Sequence, residues 1–378
     1  MINVREVKTK KDAKLFVEFP LKLYKGCEYF VPPLYSDEMK LVLAGGNREI
    51  AESVFLLAER DGRVVGRIQG ILQKQFNEIH GTKRIRFTRF DSIDDTEVSR
   101  ALFSALEDWG ASLGMTELCG PLGYSDLDRE GLLIEGFSER QTFEEQYNFE
   151  YYGALCEDSG LLKEVDWLEF ELTAPEKRNP MLKRVAERAL ELNKLHVAST
   201  DLPKREYIDK YKDGFFHCLE ECYKHLYGVV PVTEAMKNEL VDQFLLIVKK
   251  EFLLFICDEN DRVVAFGLGF PGIGDAVKKS GGRLTLGTLT RLMKILKKPE
   301  TIDLGLVAVL PEYQNAGLNA VLIDLLLDML EGGSVKRYET NLNLETNTAV
   351  MAQWKYFNAR QHKRRRSYLK TIGGNENA

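Results

Sequence analysis

The sequence predicts an α/β protein of the α+β kind, with two tandem domains that each form a mixed, twisted sheet flanked by helices. Three observations predict this class. The chain has 378 residues, which is long for one domain and short for three. A β-hairpin pattern at residues 55–65 returns at 252–264, about half a chain later. Each copy continues with a strand, a helix and another strand, an alternation that gives a sheet covered by helices.

The elements of the first copy follow in chain order. After the hairpin, the pattern predicts a strand at 85–90, a helix near 97–113 and a short strand at 116–119. A strand at 168–172 and a proline-containing stretch up to residue 180 end this copy. We therefore expect the first domain to comprise residues 1–175.

The second copy repeats this order within residues 176–378 and adds an insertion at 271–300. Its predicted elements after the insertion are a strand at 302–309, a helix near 315–330 and a short strand at 337–341. Residues 373–378 are polar and glycine-rich, so we expect them to form a disordered tail.

Composition excludes several classes of protein. The formal net charge is −6 and the pI is about 5.7, so no overall basic field favours nucleic acid. The apolar runs are much shorter than the roughly 20 residues of a membrane span. The charged N-terminal segment shows no secretory signal, and six cysteines in a chain of this length are typical of reduced thiols. These features favour a cytoplasmic protein.

One predicted helix carries a cluster of metal-ligand residue types, and the insertion carries a basic run. His217, Cys218, Cys222 and His225 lie close together, but a structural zinc site usually takes four ligands from two elements, and no second pair follows. A buried amphipathic helix is favoured and no metal is expected. The basic amphipathic stretch at 283–298 fits a membrane surface, but folding onto its own domain is favoured.

The most informative segment runs from residue 307 to residue 320. A β-rich run ends at Val309, a turn contains Pro311, and small residues then begin an apolar helix. The first turn of a helix has free N–H groups and the positive end of the dipole, so it suits a pyrophosphate. Gly317 has no side chain to obstruct an anion that approaches the backbone. The alternative is a plain connection between a strand and a helix.

This segment resembles the acyl-CoA loop of the GNAT N-acetyltransferase superfamily, V-x-P-x-x-[Q/R]-x-x-G-x-[G/A]. Val309, Pro311, Gln314 and Gly317 match in register, while Asn319 stands in place of the last Gly or Ala. The resemblance implies two tandem GNAT-like domains, the second of which uses acetyl-CoA or another acyl-CoA as co-substrate. The residues that it assigns to this co-substrate are Val307, Val309, Gln314, Asn315, Ala316, Gly317, Leu318, Asn319, Ala320, Asn347 and Trp354.

The resemblance also implies catalytic roles. The family has an Asn, matched by Asn347, and seven residues later often a Tyr that protonates the CoA thiolate. Position 354 is Trp here, so Tyr356 is the substitute. Acyl transfer also needs a polarised carbonyl, for which the backbone N–H groups of 307–309 are expected, and a base for the amine proton. Asp303 and Glu345 are the candidate bases, although Asp303 also fits a solvated strand residue.

The first copy lacks the acyl-CoA loop. Its helix is preceded at 91–97 by four carboxylates, which repel a pyrophosphate, and the turn has no glycine. We interpret it as a degenerate copy that packs against the second and shapes the acceptor cleft. The expected function is transfer of an acyl group from a CoA thioester to an amine of a small molecule or peptide. Acetyl is the favoured acyl group. The alternative is a non-catalytic protein of the same fold that binds a ligand or partner. Acceptor and oligomeric state stay open.

Overall fold

The computed structural model describes residues 1–45 and 50–373. For Gln243 and Phe244, it describes the backbone alone. Residues 374–378 of the expected tail lie outside the described part. Contacts divide the chain into two compact units. Unit 1 consists of Met1–Leu168, Gly274–Leu289 and His362–Ala378, and unit 2 consists of Glu169–Ile273 and Thr290–Gln361.

The first part of the chain contains the predicted hairpin, strands and helix of the first copy. In chain order, its elements are β1 (Asn3–Glu6), α1 (Lys10–Leu23), α2 (Tyr35–Ala44), β2 (Ala51–Arg60), β3 (Arg63–Gln73), α3 (Lys74–His80), β4 (Arg84–Ser92), α4 (Thr96–Ser112), β5 (Glu117–Gly120), β6 (Leu132–Glu135), α5 (Tyr152–Asp158) and β7 (Leu162–Thr173).

The second part repeats the hairpin, strand and helix as predicted. Its elements are α6 (Pro180–Asn193), β8 (His196–Val197), α7 (Lys204–Tyr223), α8 (Glu234–Ile247), β9 (Leu253–Cys257), β10 (Val263–Pro271), α9 (Gly274–Lys278), α10 (Leu286–Lys297), β11 (Thr301–Val309), α11 (Leu318–Gly332), β12 (Arg337–Thr340), β13 (Asn343–Leu344), α12 (Thr348–Met351) and β14 (Asn358–Thr371).

Unit 1 is built on a mixed sheet. Its strands follow the order β1-β2-β3-β4-β5, and the parts of β14 and β7 that belong to this unit come next. β4 and β5 run parallel, whereas the hairpin strands are antiparallel. Val98, Leu102 and Leu106 of α4 are fully buried in the same core as the sheet residues, and their spacing of four residues places them on one helix face.

The predicted domain ranges, 1–175 and 176–378, stay predictions, and the two units differ from them in three segments, which are 274–289, the C-terminal part of β14, and 169–175, the last of which belongs to unit 2. Residues 274–289, from the predicted insertion, and the C-terminal part of β14 belong to unit 1. The first segment is held by an ion pair between Asp275 and Arg140 at 2.7 Å, and the Gly282 carbonyl accepts the Tyr35 N–H at 3.0 Å. β14 pairs with both β5 and β6. Local patterns could not reveal these contacts because the partners lie far away in sequence.

Within unit 2, the strands follow the order β7-β12-β11-β10-β9-β8, where β7 contributes the part from residue 169 onward. β11 and β12 run parallel. Phe215 of α7 is only 4% exposed and packs against Phe255 and Phe266. This ring therefore belongs to the hydrophobic core.

The basic insertion forms α10, a helix with exposed apolar residues. Leu286 is 85% exposed and Met293 is 67% exposed, while Leu292 and Ile295 are half-buried. Part of the apolar side of α10 is therefore exposed, and folding of this stretch onto its own domain stays a prediction. None of the helices in the described part of the chain is long and apolar enough to cross a membrane.

A buried ion pair links β3 and β4 in unit 1. Arg67 Nε donates to Asp91 Oδ2 at 2.7 Å, and the Tyr24 hydroxyl donates to Asp91 Oδ1 at 2.8 Å. The Arg67 and Asp91 side chains are only 7% and 4% exposed. Burial raises the pKa of Asp91, although Arg67 favours the carboxylate. The ionised form of Asp91 therefore depends on this partner.

We expect Arg67→Met to lower the free energy of unfolding by about 3–5 kcal/mol at neutral pH, because it leaves a carboxylate buried without its cation. The folded pKa of Asp91 then rises further above its ordinary value of about 3.9. The loss should therefore shrink as the pH falls toward that value and grow as the pH rises. Denaturant unfolding at a series of pH values measures this effect.

The double variant Arg67→Met with Asp91→Asn is the control. The double variant should recover part of the lost stability. The difference between its free energy of unfolding and that of the wild type should vary less with pH than it does for the single variant. A cost below about 1 kcal/mol for the single variant, or a cost that does not change with pH, would contradict this account of the pair.

Candidate functional site

The site in unit 2 begins where two parallel strands separate. β11 pairs with β12 from Thr301 to Leu304, and the Asn341 N–H donates to the Leu304 carbonyl at 2.9 Å. Directly afterwards, Gly305 is an extra residue in β11 relative to β10, which is a β-bulge. From Leu306 onward, no strand in the described part of the chain pairs with the edge of β11 that faced β12.

The last turn of α7 covers this open edge. The Tyr223 hydroxyl donates to the Val307 carbonyl at 3.1 Å and accepts the Val307 N–H at 3.2 Å. The Cys222 thiol donates to the Val309 carbonyl at 3.2 Å. The Val307 N–H, expected to polarise an acyl carbonyl, thus already has a hydrogen-bond partner. Sequence reasoning noticed Cys222 only as a metal-ligand type and missed Tyr223, because the position of a helix end over a strand is not a local property.

Beyond β11, the chain forms the corner that the sequence singled out. A 3₁₀ turn at Pro311–Tyr313 leads to α11, which begins after Gly317. Asn315 has a φ of 68° and Gly317 a φ of 85°, so both lie in the left-handed region. The side chains of Gln314, Asn315 and Asn319 are exposed, so the outer side of the corner is accessible.

Several backbone N–H groups at this corner have no acceptor in the described part of the chain. Among the described residues, no carbonyl or side chain accepts the N–H groups of Asn315 and Gly317. Leu318 and Asn319 belong to the first turn of α11, where N–H groups have no intrahelical acceptor. Together these donors and the helix dipole suit an oxyanion such as a diphosphate.

Three other predicted donors at the corner are used within the protein. The Gln314 N–H donates to Pro311 at 3.2 Å, the Ala316 N–H to Tyr313 at 3.1 Å and the Ala320 N–H to Gly317 at 3.0 Å. The Gln314 side chain instead donates to the Val309 carbonyl at 3.4 Å. These contacts shape the turn and leave the donors of 315 and 317–319 for a ligand.

Gly317 also faces α6. A Cβ added at this position would lie 3.2 Å from the Ala189 Cβ and 3.6 Å from Val185 Cγ1. The left-handed backbone disfavours a side chain independently of this crowding. Glycine at 317 is therefore required both by its φ and by the neighbouring helix.

The remaining predicted co-substrate residues lie after β12. The Asn347 side chain accepts the Val350 N–H at 3.3 Å and caps α12. Trp354 is 7% exposed in a hydrophobic cluster with Tyr338 and Phe357, and its buried Nε1 has no hydrogen-bond partner among the described residues. The predicted contacts of Asn347 and Trp354 with the co-substrate stay predictions.

The predicted catalytic residues are spread over three segments. Asp303 lies on β11, is 8% exposed and stands in register with Glu339 of β12. It is therefore not the solvated strand residue that its alternative interpretation required. Glu345 follows β13 and Tyr356 ends a 3₁₀ turn, and both are half-buried. Their proposed proton-transfer roles stay predictions.

We expect Gly317→Ala to lower the free energy of unfolding by about 1–2 kcal/mol, from backbone strain and from contact with Ala189. Gly332→Ala, at the end of the same helix, is the matched control because a Cβ there meets nothing within 4 Å. It should be neutral or stabilising, since Ala favours helix. Denaturant unfolding of both variants measures the difference, and equal effects would contradict the constraint on Gly317.

Comparison with known proteins gives the class of fold. No protein-family model matches the chain. It is 27% identical to Protein YghO of Escherichia coli (strain K12), over 98% of this chain and 95% of the relative. Among solved structures, it is similar to a tandem GNAT protein from the clavulanic acid biosynthesis pathway, with a TM-score of 0.56, 12% identity and full coverage of both chains.

A second solved structure supports the same fold. It is a GCN5-related glucosamine N-acetyltransferase region in a fungal multi-domain GH3 β-N-acetylglucosaminidase, with a TM-score of 0.57, 9% identity and coverage of 98% of this chain and 38% of that one. The protein therefore has the tandem GNAT fold, and the predicted fold class is confirmed.

Proposed function

We propose that unit 2 is an acyl-CoA-dependent N-acyltransferase that moves an acyl group from CoA to an amine of a small molecule or peptide. Acetyl is the favoured acyl group. The observation that supports this most is the accessible corner at 315–319, where backbone N–H groups without acceptors among the described residues gather at the start of α11. The tandem GNAT fold supports it as well, because solved structures of this fold include an N-acetyltransferase region.

The residues divide into binding and proton-transfer roles in this proposal. The N–H groups of Asn315, Gly317, Leu318 and Asn319 hold the diphosphate, and the edge of β11 at 307–309 aligns the thioester arm. When bound, acyl-CoA supplies an activated carbonyl. Holding it beside the amine provides much of the acceleration, because attack geometry is then fixed in advance.

Asp303 and Glu345 are the proposed bases for the amine proton, and Tyr356 is the proposed acid for the departing thiolate. Asp303 lies on β11, and the free edge of this strand begins at Leu306. Of the two proposed bases, Asp303 is therefore the nearer to that edge along the chain. Glu345 and Tyr356 flank α12 and its cap Asn347. These assignments rest on position in the chain and on the resemblance.

The experiment replaces the exposed Asn319 in the first turn of α11. Asn319→Glu places a carboxylate beside the diphosphate donors, so acetyl-CoA affinity should fall about tenfold or more. The same charge favours the helix start, so the melting temperature should not fall. Asn319→Gln has the same size without the charge and should bind acetyl-CoA like the wild type. Calorimetric titration with acetyl-CoA measures all three proteins.

Two results would overturn the proposed binding site. One is an absence of acetyl-CoA binding to the wild type at millimolar concentration. The other is equal affinity of the Glu and Gln variants, because the charge at position 319 would then lie away from the diphosphate.

Tyr223 competes with the proposed ligand for the β11 edge. Its hydroxyl makes two hydrogen bonds to Val307, so a thioester arm that pairs with this residue must displace it. We expect Tyr223→Phe to bind acetyl-CoA about three- to tenfold more tightly, because no hydrogen bonds are broken on entry. Calorimetry on the variant measures this change. Tyr211→Phe, in the same helix but away from this edge, is the control, and weaker binding by the Tyr223 variant would contradict displacement.

The second candidate function is non-catalytic binding of an acyl-CoA or another ligand. It is favoured by the occupied Val307 backbone and by Trp354, which is buried in the core where the family often has a tyrosine acid. Chromatographic detection of free CoA across a panel of amines separates the two functions. Binding without amine-dependent CoA release would support the second.

A further inference from the structure

Unit 1 contains a cleft that the proposed function does not use. Its empty volume is about 490 Å³, a figure that includes the open solvent at its mouth. β3, β4, the chain around α1 and α2, and the segment from 128 to 147 form its walls. All of its lining residues belong to unit 1: Pro20, Phe30, Pro33, Glu38, Arg67, Thr88, Arg89, Asp91, Asp128, Arg129, Gln146 and Tyr147.

Two of the three arginines in the cleft are neutralised by carboxylates. Arg67 pairs with Asp91 at 2.7 Å. Arg89 forms a two-pronged pair with Glu38, with both contacts at 2.8 Å, and although burial opposes it, this partner lowers the pKa of Glu38 to about 2. Arg89 has a φ of 49° at a bulge in β4, a strained backbone that aims its side chain at this pair.

The third acidic residue of the cleft, Asp128, has its hydrogen bonds with backbone N–H groups. Asp128 accepts the N–H groups of Tyr124 at 2.8 Å and Ser125 at 3.1 Å. Burial raises the pKa of Asp128 despite the attraction of Arg89. This carboxylate therefore closes a local turn, and no ion pair joins it to the remaining arginine.

Arg129 is that remaining arginine. It donates to the Phe143 carbonyl at 2.5 Å, and its other N–H groups have no acceptor among the described residues. No carboxylate in the described part of the chain lies within ion-pair distance of it, and burial lowers its pKa even with Glu38 and Glu144 in the vicinity. A guanidinium with free donors that lines a cleft is suited to a planar oxyanion.

The rest of the cleft defines the ligand further. Gln146 lines the same cleft, and its buried side-chain Nε2 has no hydrogen-bond acceptor among the described residues. Phe30, Pro20 and Pro33 add apolar wall. Glu38 and Asp128 also line the cleft, so a ligand with one negative charge is favoured over a doubly charged phosphate.

We propose that unit 1 binds a small organic carboxylate with a flat apolar body, whose carboxylate accepts hydrogen bonds from Arg129 and Gln146 and whose body packs against Phe30 and the two prolines. This site is independent of the acyl-CoA site proposed in unit 2. It gives the copy without an acyl-CoA loop a ligand-binding role of its own.

The test titrates the full-length protein with benzoate and phenylacetate, with the neutral amides benzamide and phenylacetamide, and with phenyl phosphate, by ligand-observed NMR and calorimetry. We expect the carboxylates to bind at least about tenfold more tightly than the matched amides. Arg129→Gln should weaken carboxylate binding by a similar factor, and Arg129→Lys should have an intermediate effect because it keeps the charge without the fork.

The controls separate a binding role from a structural role. Arg129→Gln removes a buried cation without a carboxylate partner together with its contacts to Phe143, and because these effects oppose each other the melting temperature should stay within about 3 °C of the wild type. Arg63→Gln makes the same change at an exposed arginine of β3 and should leave binding unchanged. Asn319→Glu should also leave carboxylate binding unchanged, so failure of one site is distinguishable from failure of the other.

The proposal is overturned if no carboxylate binds at millimolar concentration, or if the amides bind equally well. It is also overturned if phenyl phosphate binds more tightly than the carboxylates, because the charge argument would then be wrong. Unchanged carboxylate binding by Arg129→Gln would place the ligand elsewhere.

Discussion

Each unit depends on one constraint, which is that two parallel strands pair over a few residues and then separate at a bulge. In unit 2, β11 leaves β12 after Leu304, and the extra residue Gly305 follows. In unit 1, β4 pairs with β5 only from Arg84 to Arg86, and a bulge at Arg89 follows. A separated strand presents backbone groups and side chains that a continuous sheet would bury. The separation thus creates an opening in each unit, and the local residues decide what that opening can bind.

The two openings have different chemistry because different groups occupy the exposed strand. In unit 2, β11 offers backbone groups, and Tyr223 and Cys222 cover them with neutral hydrogen bonds that a ligand can replace. In unit 1, the side chains of β4 form ion pairs and face a cleft. Replacing a buried ion pair costs far more than replacing a neutral hydrogen bond. The first opening therefore suits an extended ligand that pairs with backbone, and the second suits a compact one.

Sequence reasoning succeeded where the signal was local. Alternating residues gave the hairpins, and Pro311 with Gly317 gave the turn before α11, because proline and glycine restrict backbone conformation directly. It failed where partners are distant. The assignment of 274–289 to unit 1, the cover of Val307 by Tyr223 and the cleft around Arg129 all join segments far apart in the chain. No periodicity encodes such pairs, so only the folded structure reveals them.

The start of the helix after each separated strand shows how one residue decides which copy can hold an external anion. In unit 1, Asp95 caps α4, and its own carboxylate accepts the Glu97 N–H at 2.9 Å. The helix start thereby carries an internal anion, and a second one would be repelled. In unit 2, Gly317 occupies the cap position of α11 and has no side chain. The N–H groups of the first turn can therefore still donate hydrogen bonds to a ligand. Glycine in place of a capping side chain costs a helix only about a few tenths of a kcal/mol, so the open donors at 317 come at a small cost in stability that a bound anion would offset. The same helix geometry is thus a closed terminus in one unit and, under the proposed function, an anion site in the other.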